Sequence, residues 1–219
     1  MHADPVSKSL ARRKAGRPSA TDLQGEQLHE HVITAATQVY GQYGYRDTSV
    51  ALIIKASGIS RPLFYRMFKN RWQVIDTIVA RANESLLTAV IKATLNKTEL
   101  LTMLSAGIDA YFNWCRNYGV VVGPIYRELS DPESPASAHR NAILKKLTQL
   151  CMEMADKSDY PRLEPLFIDT LLRTVEHIGS TTFWPEPQPE TVIAKNRAIV
   201  QRIIMASLVR PEDIARVPP

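Results

Sequence analysis

From Asp22 onward the apolar positions recur with the period of a helix. Leu28, Val32, Ala35, Ala36, Val39, Tyr40 and Tyr43 fall on one face of a first helix, which Gly41 and Gly44 close. A short second helix is expected over about 49–56, with Thr48 as its N-cap, and Gly58 breaks it. Ser60 caps a third helix over about 61–67, where Pro62 occupies the first turn and its missing N–H costs nothing. A fourth starts near Arg71 and carries Val74, Ile75, Ile78, Val79, Ala82, Leu86, Val90 and Ile91 on one long stripe.

The same period continues. Leu101, Leu104, Ile108, Tyr111, Phe112 and Cys115 mark a fifth helix. Val120, Val121 and Val122 favour a strand by propensity, but no partner strand is readable elsewhere, so a short helix is expected over 119–129. Asp131 to Pro135 form a loop. Ile143, Leu144, Leu147, Leu150, Cys151 and Met154 mark the next helix, and Leu166 to Ile178 another over about 162–178. Pro185, Pro187 and Pro189 enforce a break before a last helix at about 190–208. The pattern predicts an all-α protein of about nine helices. It divides into a helix-turn-helix domain over 22–71 and a larger helical domain over 72–219.

Composition narrows the class. In 219 residues, 45% are hydrophobic and 22% charged, which is ordinary for a globular chain. Two cysteines cannot form a disulfide framework, and their spacing fits no metal motif. No uncharged apolar run is long enough to span a membrane, and no apolar stretch follows the basic N-terminus as in a secretory signal. A cytoplasmic, nucleoid-associated protein is therefore expected, with no cofactor and no membrane partner. The net charge of +5 is unevenly spread: residues 1–21 carry +4, residues 22–71 carry +2 and residues 72–219 carry −1. Only the first third has an electrostatic reason to meet a polyanion.

Residues 1–21 are Ser-, Ala-, Gly-, Pro- and Arg-rich and read as a disordered basic arm. The segment from Thr48 to Arg71 reads as two short helices around a tight turn, held at an angle by Val50, Ile53, Ile54, Ile59, Phe64 and Phe68. Such a unit presents the N-terminal residues of its second helix to a major groove. These are Ser60, Arg61, Pro62 and Leu63, followed by Tyr65 and Arg66. Arg46, Lys55, Arg61, Arg66, Lys69 and Arg71 against Asp47 suit a phosphate-facing surface.

The run Gly44-Tyr45, Thr48-Ser49-Val50, Ile53, Ala56-Ser57-Gly58-Ile59-Ser60, Phe64-Tyr65 and Phe68-Lys69-Asn70-Arg71 resembles the N-terminal signature of the tetracycline-repressor (TetR) family. The resemblance covers about a quarter of the chain, from Val32 to Asp76. It implies that Thr48 contacts a phosphate, that the Tyr65 hydroxyl does likewise, and that Arg71 stands where most members place lysine. Pro62-Leu63 replaces the family's common Gly-Thr. Leu63 therefore offers only an apolar contact, and base reading falls to Arg61, Ser60 and Arg66. In the arm, Arg13 to Arg17 and Pro18 are similar to the Gly-Arg-Pro core of A·T-hook segments. Arg13 and Arg17 would then follow a minor groove, the alternative being a solubilising tail.

The resemblance also implies a repressor that binds a near-palindromic double-stranded DNA operator as a homodimer through its last two long helices, and a small-molecule effector releases it. Aromatic residues concentrate in the middle of the chain. Tyr111, Trp114, Cys115, Tyr118, Tyr126, His177 and Phe183 are candidate effector contacts, although the same residue types suit a plain core. The fourth helix would carry the coupling. Two other readings stay open: a redox sensor built on Cys115 and Cys151, and an architectural DNA binder with no ligand. An enzyme is not expected. His29 and His31 sit two apart on a helix and face different ways, and no nucleophile-elbow, metalloprotease or phosphate-loop motif occurs.

Overall fold

The computed structural model describes residues 25–158, 160, 163–184, 186 and 188–208. Within them the chain forms nine helices and no strand: α1 Glu26–Asp47, α2 Val50–Ser57, α3 Arg61–Met67, α4 Arg71–Thr94, α5 Leu100–Asn117, α6 Gly119–Arg127, α7 Pro135–Lys157, α8 Pro165–Phe183 and α9 Glu190–Ser207. The basic arm, with Arg13 and Arg17, lies outside the described residues. No described helix is long and apolar enough to cross a membrane.

Local chemistry sets most of these boundaries. Ser49 caps α2 by accepting from the Leu52 N–H at 3.2 Å. Ser60 caps α3 from the Leu63 N–H at 3.4 Å, and Asn70 caps α4 from the Gln73 N–H at 3.0 Å. The expected cap Thr48 instead ends α1, its N–H donating to the Gly44 carbonyl. Gly44 does not close α1 as expected. It kinks the helix at φ 71°, a conformation few side chains tolerate, and one more turn follows. Gly58 takes the left-handed position, φ 68°, that turns α2 into α3.

One apolar core runs through both halves of the molecule. Val32, Tyr40, Ile53, Phe64, Val74, Val79, Val122 and Val200 are all inaccessible to solvent, and Val121 nearly so. The valine run of α6 is helical because Val121 and Val122 bury themselves while α6 packs along α1, so tertiary packing overrides the strand propensity. The approach is close: a methyl group on Gly41 would lie 2.2 Å from a Val120 side-chain carbon. Helix α4 spans the two halves, packing on α1 at one side and on α5 and α7 at the other. Helices α8 and α9 pair with each other and close the far side against α5. Helix α8 runs five residues past the expected end at Ile178, with Gly179 kept helical and buried against the Tyr111 ring, where a methyl group would lie 2.4 Å from a ring carbon.

Candidate functional site

Helices α2 and α3 form a basic, exposed unit. Ile53, Phe64 and Phe68 are buried beneath it, with the two phenyl rings 5.7 Å apart. Burial of those three anchors fixes the outward direction of the other positions. Ser60, Arg61, Pro62, Tyr65, Arg66 and Lys69 are all exposed, Tyr65 by 49%. They form one surface at the N-terminal end and outer side of α3, with Lys55 exposed on α2 beside it. Leu63 is half-buried against the core, so it contributes to the hold on α3 as much as to the surface.

Two expected contact residues are placed differently. Thr48 is completely buried, and its hydroxyl has no hydrogen-bond partner. Extended backbone between α1 and α2 turns that side chain inward, so it does not belong to the exposed surface. Arg71 is half-buried. Its guanidinium donates to the carbonyl oxygens of Arg46 (2.6 Å) and Thr48 (2.8 Å) and lies 4.9 Å over the Tyr45 ring. It ties the start of α4 to the α1–α2 junction, and its charge reaches the surface only through what those bonds leave free. Trp72 was not anticipated from the sequence: it is 43% exposed at the first turn of α4, beside the basic face. Its sequence signal was a tryptophan off the apolar stripe of α4.

The larger domain encloses a cavity of about 130 Å³ between α4, α5, α6, α7 and α8. Of the candidate effector contacts, Tyr111, Trp114 and Tyr126 line it. Tyr111 stacks on Trp114, whose indole N–H donates to the Ala82 carbonyl at 3.0 Å. The other four candidates do not line it. Cys115 is buried behind Tyr111 in the core. Tyr118 lies past the end of α5, stacked on the outer side of Trp114, where it borders a separate groove. His177 is exposed, because its neighbours Val175 and Glu176 take the inward positions of α8. Phe183 packs edge-on against Phe112 in the core. What the aromatic count missed is the aliphatic wall. Leu144, Leu147 and Leu150 on α7 and Leu171, Leu172 and Val175 on α8 line the cavity, a stripe that reads as ordinary core. Also missed was the ion pair of Arg140 with Glu176 at 2.7 Å, which sits at the same cavity.

A buried carboxylate links the two regions. Glu128, one residue after α6, accepts from the Tyr40 hydroxyl (2.9 Å), the Tyr45 backbone N–H (2.6 Å) and the Ser134 hydroxyl (2.8 Å). Burial and this carboxylate together raise the Tyr40 phenol far above its usual range. Alongside, Asp131 pairs with Arg46 at 2.9 Å. Ile125 and Tyr126, two or three residues before Glu128, line the cavity. The wall of the cavity and the end of α1 are therefore joined by one short segment, in addition to the route through α4. The Tyr45 ring in turn carries Arg71 at the foot of α4.

An exposed basic helix-turn-helix on an all-helical body defines a DNA-binding regulator. Residues 32–78 match the family described as bacterial regulatory proteins, tetR family. The HTH-type transcriptional activator FasR of Mycolicibacterium smegmatis is 23% identical over 114 residues, which are 50% of this chain and 52% of that protein. The match thus spans about half the length of that relative. The fold is similar to the fatty acid degradation regulator FadR of Bacillus halodurans, with TM-score 0.65 and 18% identity over 86% of this chain and 98% of that one. It is also similar to FadR of Bacillus subtilis in complex with stearoyl-CoA, with TM-score 0.66 and 16% identity over 83% of this chain and 98% of that one. The chain thus resembles the TetR family of DNA-binding transcriptional regulators, in sequence over residues 32–78 and in fold across the described helices.

Proposed function

We propose that this regulator is a repressor that binds a near-palindromic operator as a homodimer and is released by a small, largely apolar effector held in the α4–α8 cavity. The observation that carries the reading is the attachment of the cavity wall to the DNA-binding domain through Glu128. A ligand shifts an equilibrium only by its differential affinity for two arrangements. Filling the cavity displaces Ile125 and Tyr126, and with them the carboxylate that holds the end of α1. Relatives whose names denote fatty acid regulation, one of them solved with stearoyl-CoA, support an effector of this kind.

The apolar residues that α8 and α9 leave uncovered support the dimer. Leu166 is 76% exposed, and Ile203 and Met205 are exposed on α9. A second copy of the pair would cover them as a four-helix bundle and set two recognition helices on successive half-sites. Thiol chemistry is disfavoured as the trigger. Burial pushes Cys115 up to about 12 and Cys151 up to about 11, so neither offers much thiolate at neutral pH.

A second reading, activation, has one observation in its favour: the curated relative is named an activator. Transcription in vitro from the promoter region upstream of the gene separates the two. Repression predicts fewer transcripts as protein is added and recovery when effector is supplied. A rise in transcripts on adding protein would establish activation instead. Sedimentation at micromolar concentration tests the dimer, and a clean monomer would remove it.

A further inference from the structure

The cavity is small for the number of residues that line it. Its wall extends along α7 from Arg140 to Met154, yet the space enclosed is about 130 Å³. An apolar cavity of about 150 Å³ stays free of water and takes up benzene, so this volume suits one aromatic ring and is too small for a long chain. The only two charged residues of the wall, Arg140 and Glu176, stand together and pair at 2.7 Å. Ile143 and Leu144 on α7 and Leu172 on α8 lie three or four residues from that pair, on the same helix faces, and line the cavity beside it.

The hydrogen bonds at this end decide what a guest must bring. The Tyr111 and Tyr126 hydroxyls are bonded to each other, and Tyr111 donates to the Glu176 carbonyl oxygen at 3.4 Å. Both bonds form together only when Tyr126 donates to Tyr111 and Tyr111 to the carbonyl. Both phenol protons are then spent, and the Tyr126 oxygen can only accept. Burial keeps this phenol protonated by raising it well above the usual range. Arg140 donates to the Glu176 carboxylate from two of its nitrogens, at 2.7, 3.2 and 3.3 Å, which leaves the third for a guest. A neutral hydroxyl satisfies both groups, because it donates to Tyr126 and accepts from Arg140. A carboxylate does not: it has no proton for Tyr126, and it meets Glu176, which already neutralises Arg140, as a like charge. A phenol titrates at about 10 and so keeps its proton at neutral pH.

We infer that the cavity takes a compact, uncharged, single-ring phenol and discriminates against hydrocarbons, ethers and acids of the same size. The ring lies among Ile143, Leu144 and Leu172, and its hydroxyl bridges Tyr126 and Arg140. The guest enters between α7 and α8, where both side chains of the Arg140–Glu176 pair keep 17% of their surface in contact with solvent. The inference rests on the reading of this cavity as the effector site.

Calorimetric titration of the full-length protein at neutral pH tests it with p-cresol, p-methylanisole, p-xylene, p-toluate and n-heptanol. These probes keep the size nearly constant and vary the proton, the charge and the ring. We expect p-cresol to bind at least roughly tenfold more tightly than each of the others. Tyr126→Phe should weaken p-cresol about tenfold and leave p-xylene unchanged. Glu176→Gln removes the repelling charge and should raise p-toluate affinity about tenfold. The melting temperature of each variant reports that it is folded, and the order of the probes on the wild-type protein decides the matter where a variant does not fold. Binding of p-xylene, p-methylanisole or n-heptanol as tightly as p-cresol, or an unchanged p-cresol affinity in folded Tyr126→Phe, would overturn the assignment. If no ring probe binds, the phenol assignment falls, and release of the upstream DNA by n-heptanol in that case would leave the effector-site reading standing. If p-cresol binds as expected but leaves DNA binding unchanged, the ligand assignment stands and the effector reading falls.

Discussion

Replacing Glu128 with glutamine tests the link between cavity and DNA-binding domain most economically, because it changes the charge and one acceptor while keeping the volume. The carboxylate now serves three donors: Tyr40, the Tyr45 N–H and Ser134. An amide has one oxygen, so at least one buried donor loses its acceptor at a cost of about 1–3 kcal/mol. The surviving bonds lose their charge assistance, about 1 kcal/mol more. Together the loss is about 3 kcal/mol. For a chain of this length each kcal/mol moves the melting temperature by about 3 °C, so a fall of about 9 °C is expected. Urea denaturation followed by tryptophan fluorescence measures the same quantity, with Glu133→Gln as the exposed control, within about 0.5 kcal/mol of wild type. Tyr40→Phe combined with Glu128→Gln should cost less than the sum of the two, since they share one bond. The variant should also blunt the effector response while retaining DNA binding. An unchanged midpoint with an unchanged response would refute the role of Glu128.

Lys69→Ala should weaken DNA binding about equally for all sequences and lower the slope of log affinity against log salt by about 0.9, read from anisotropy titrations at several salt concentrations. An unchanged slope would move Lys69 off the interface. The thiols should resist alkylation at pH 8, where a group titrating near 11 is about one-thousandth thiolate, and react faster as the pH rises toward 11; rapid labelling of the native protein would reopen thiol sensing. Asp131 is held below the usual carboxylate range by the Arg46 guanidinium and then by the Glu133 N–H. A depressed carboxylate contributes stability above its unfolded value of about 4, which is lost as the pH falls through the folded value. The gap in urea midpoint between wild type and Asp131→Asn should therefore be open at pH 7 and close below about pH 4; a gap that widens in acid would contradict the sign.

Most of the architecture was legible because helix period, caps and glycines act locally. Ser60, Gly58 and the stripe of α4 fixed their elements by chemistry that spans only a few residues. The exposed face of α3 followed from the same logic, since burial of Ile53, Phe64 and Phe68 leaves Arg61, Tyr65 and Arg66 outside. The inward turn of Thr48 and the engagement of Arg71 were not legible, because both depend on where the end of α1 meets α4. Glu128 gave no signal at all: a lone glutamate after an apolar helix reads as a solvated residue, and its donors Tyr40 and Tyr45 are more than eighty residues away. The cavity was half legible. Aromatics pointed to Tyr111, Trp114 and Tyr126, while an aliphatic wall carries the same pattern whether it faces side chains or empty space.

The central claim is that the outer face of α3 reads DNA, and footprinting on the region upstream of the gene tests it most directly. Wild-type protein should protect one near-palindromic site. The Arg61→Ala, Tyr65→Ala double variant, both positions exposed and neither part of the core, should keep its melting temperature and lose that protection. Protection of the same site by the double variant at the same protein concentration would contradict the account.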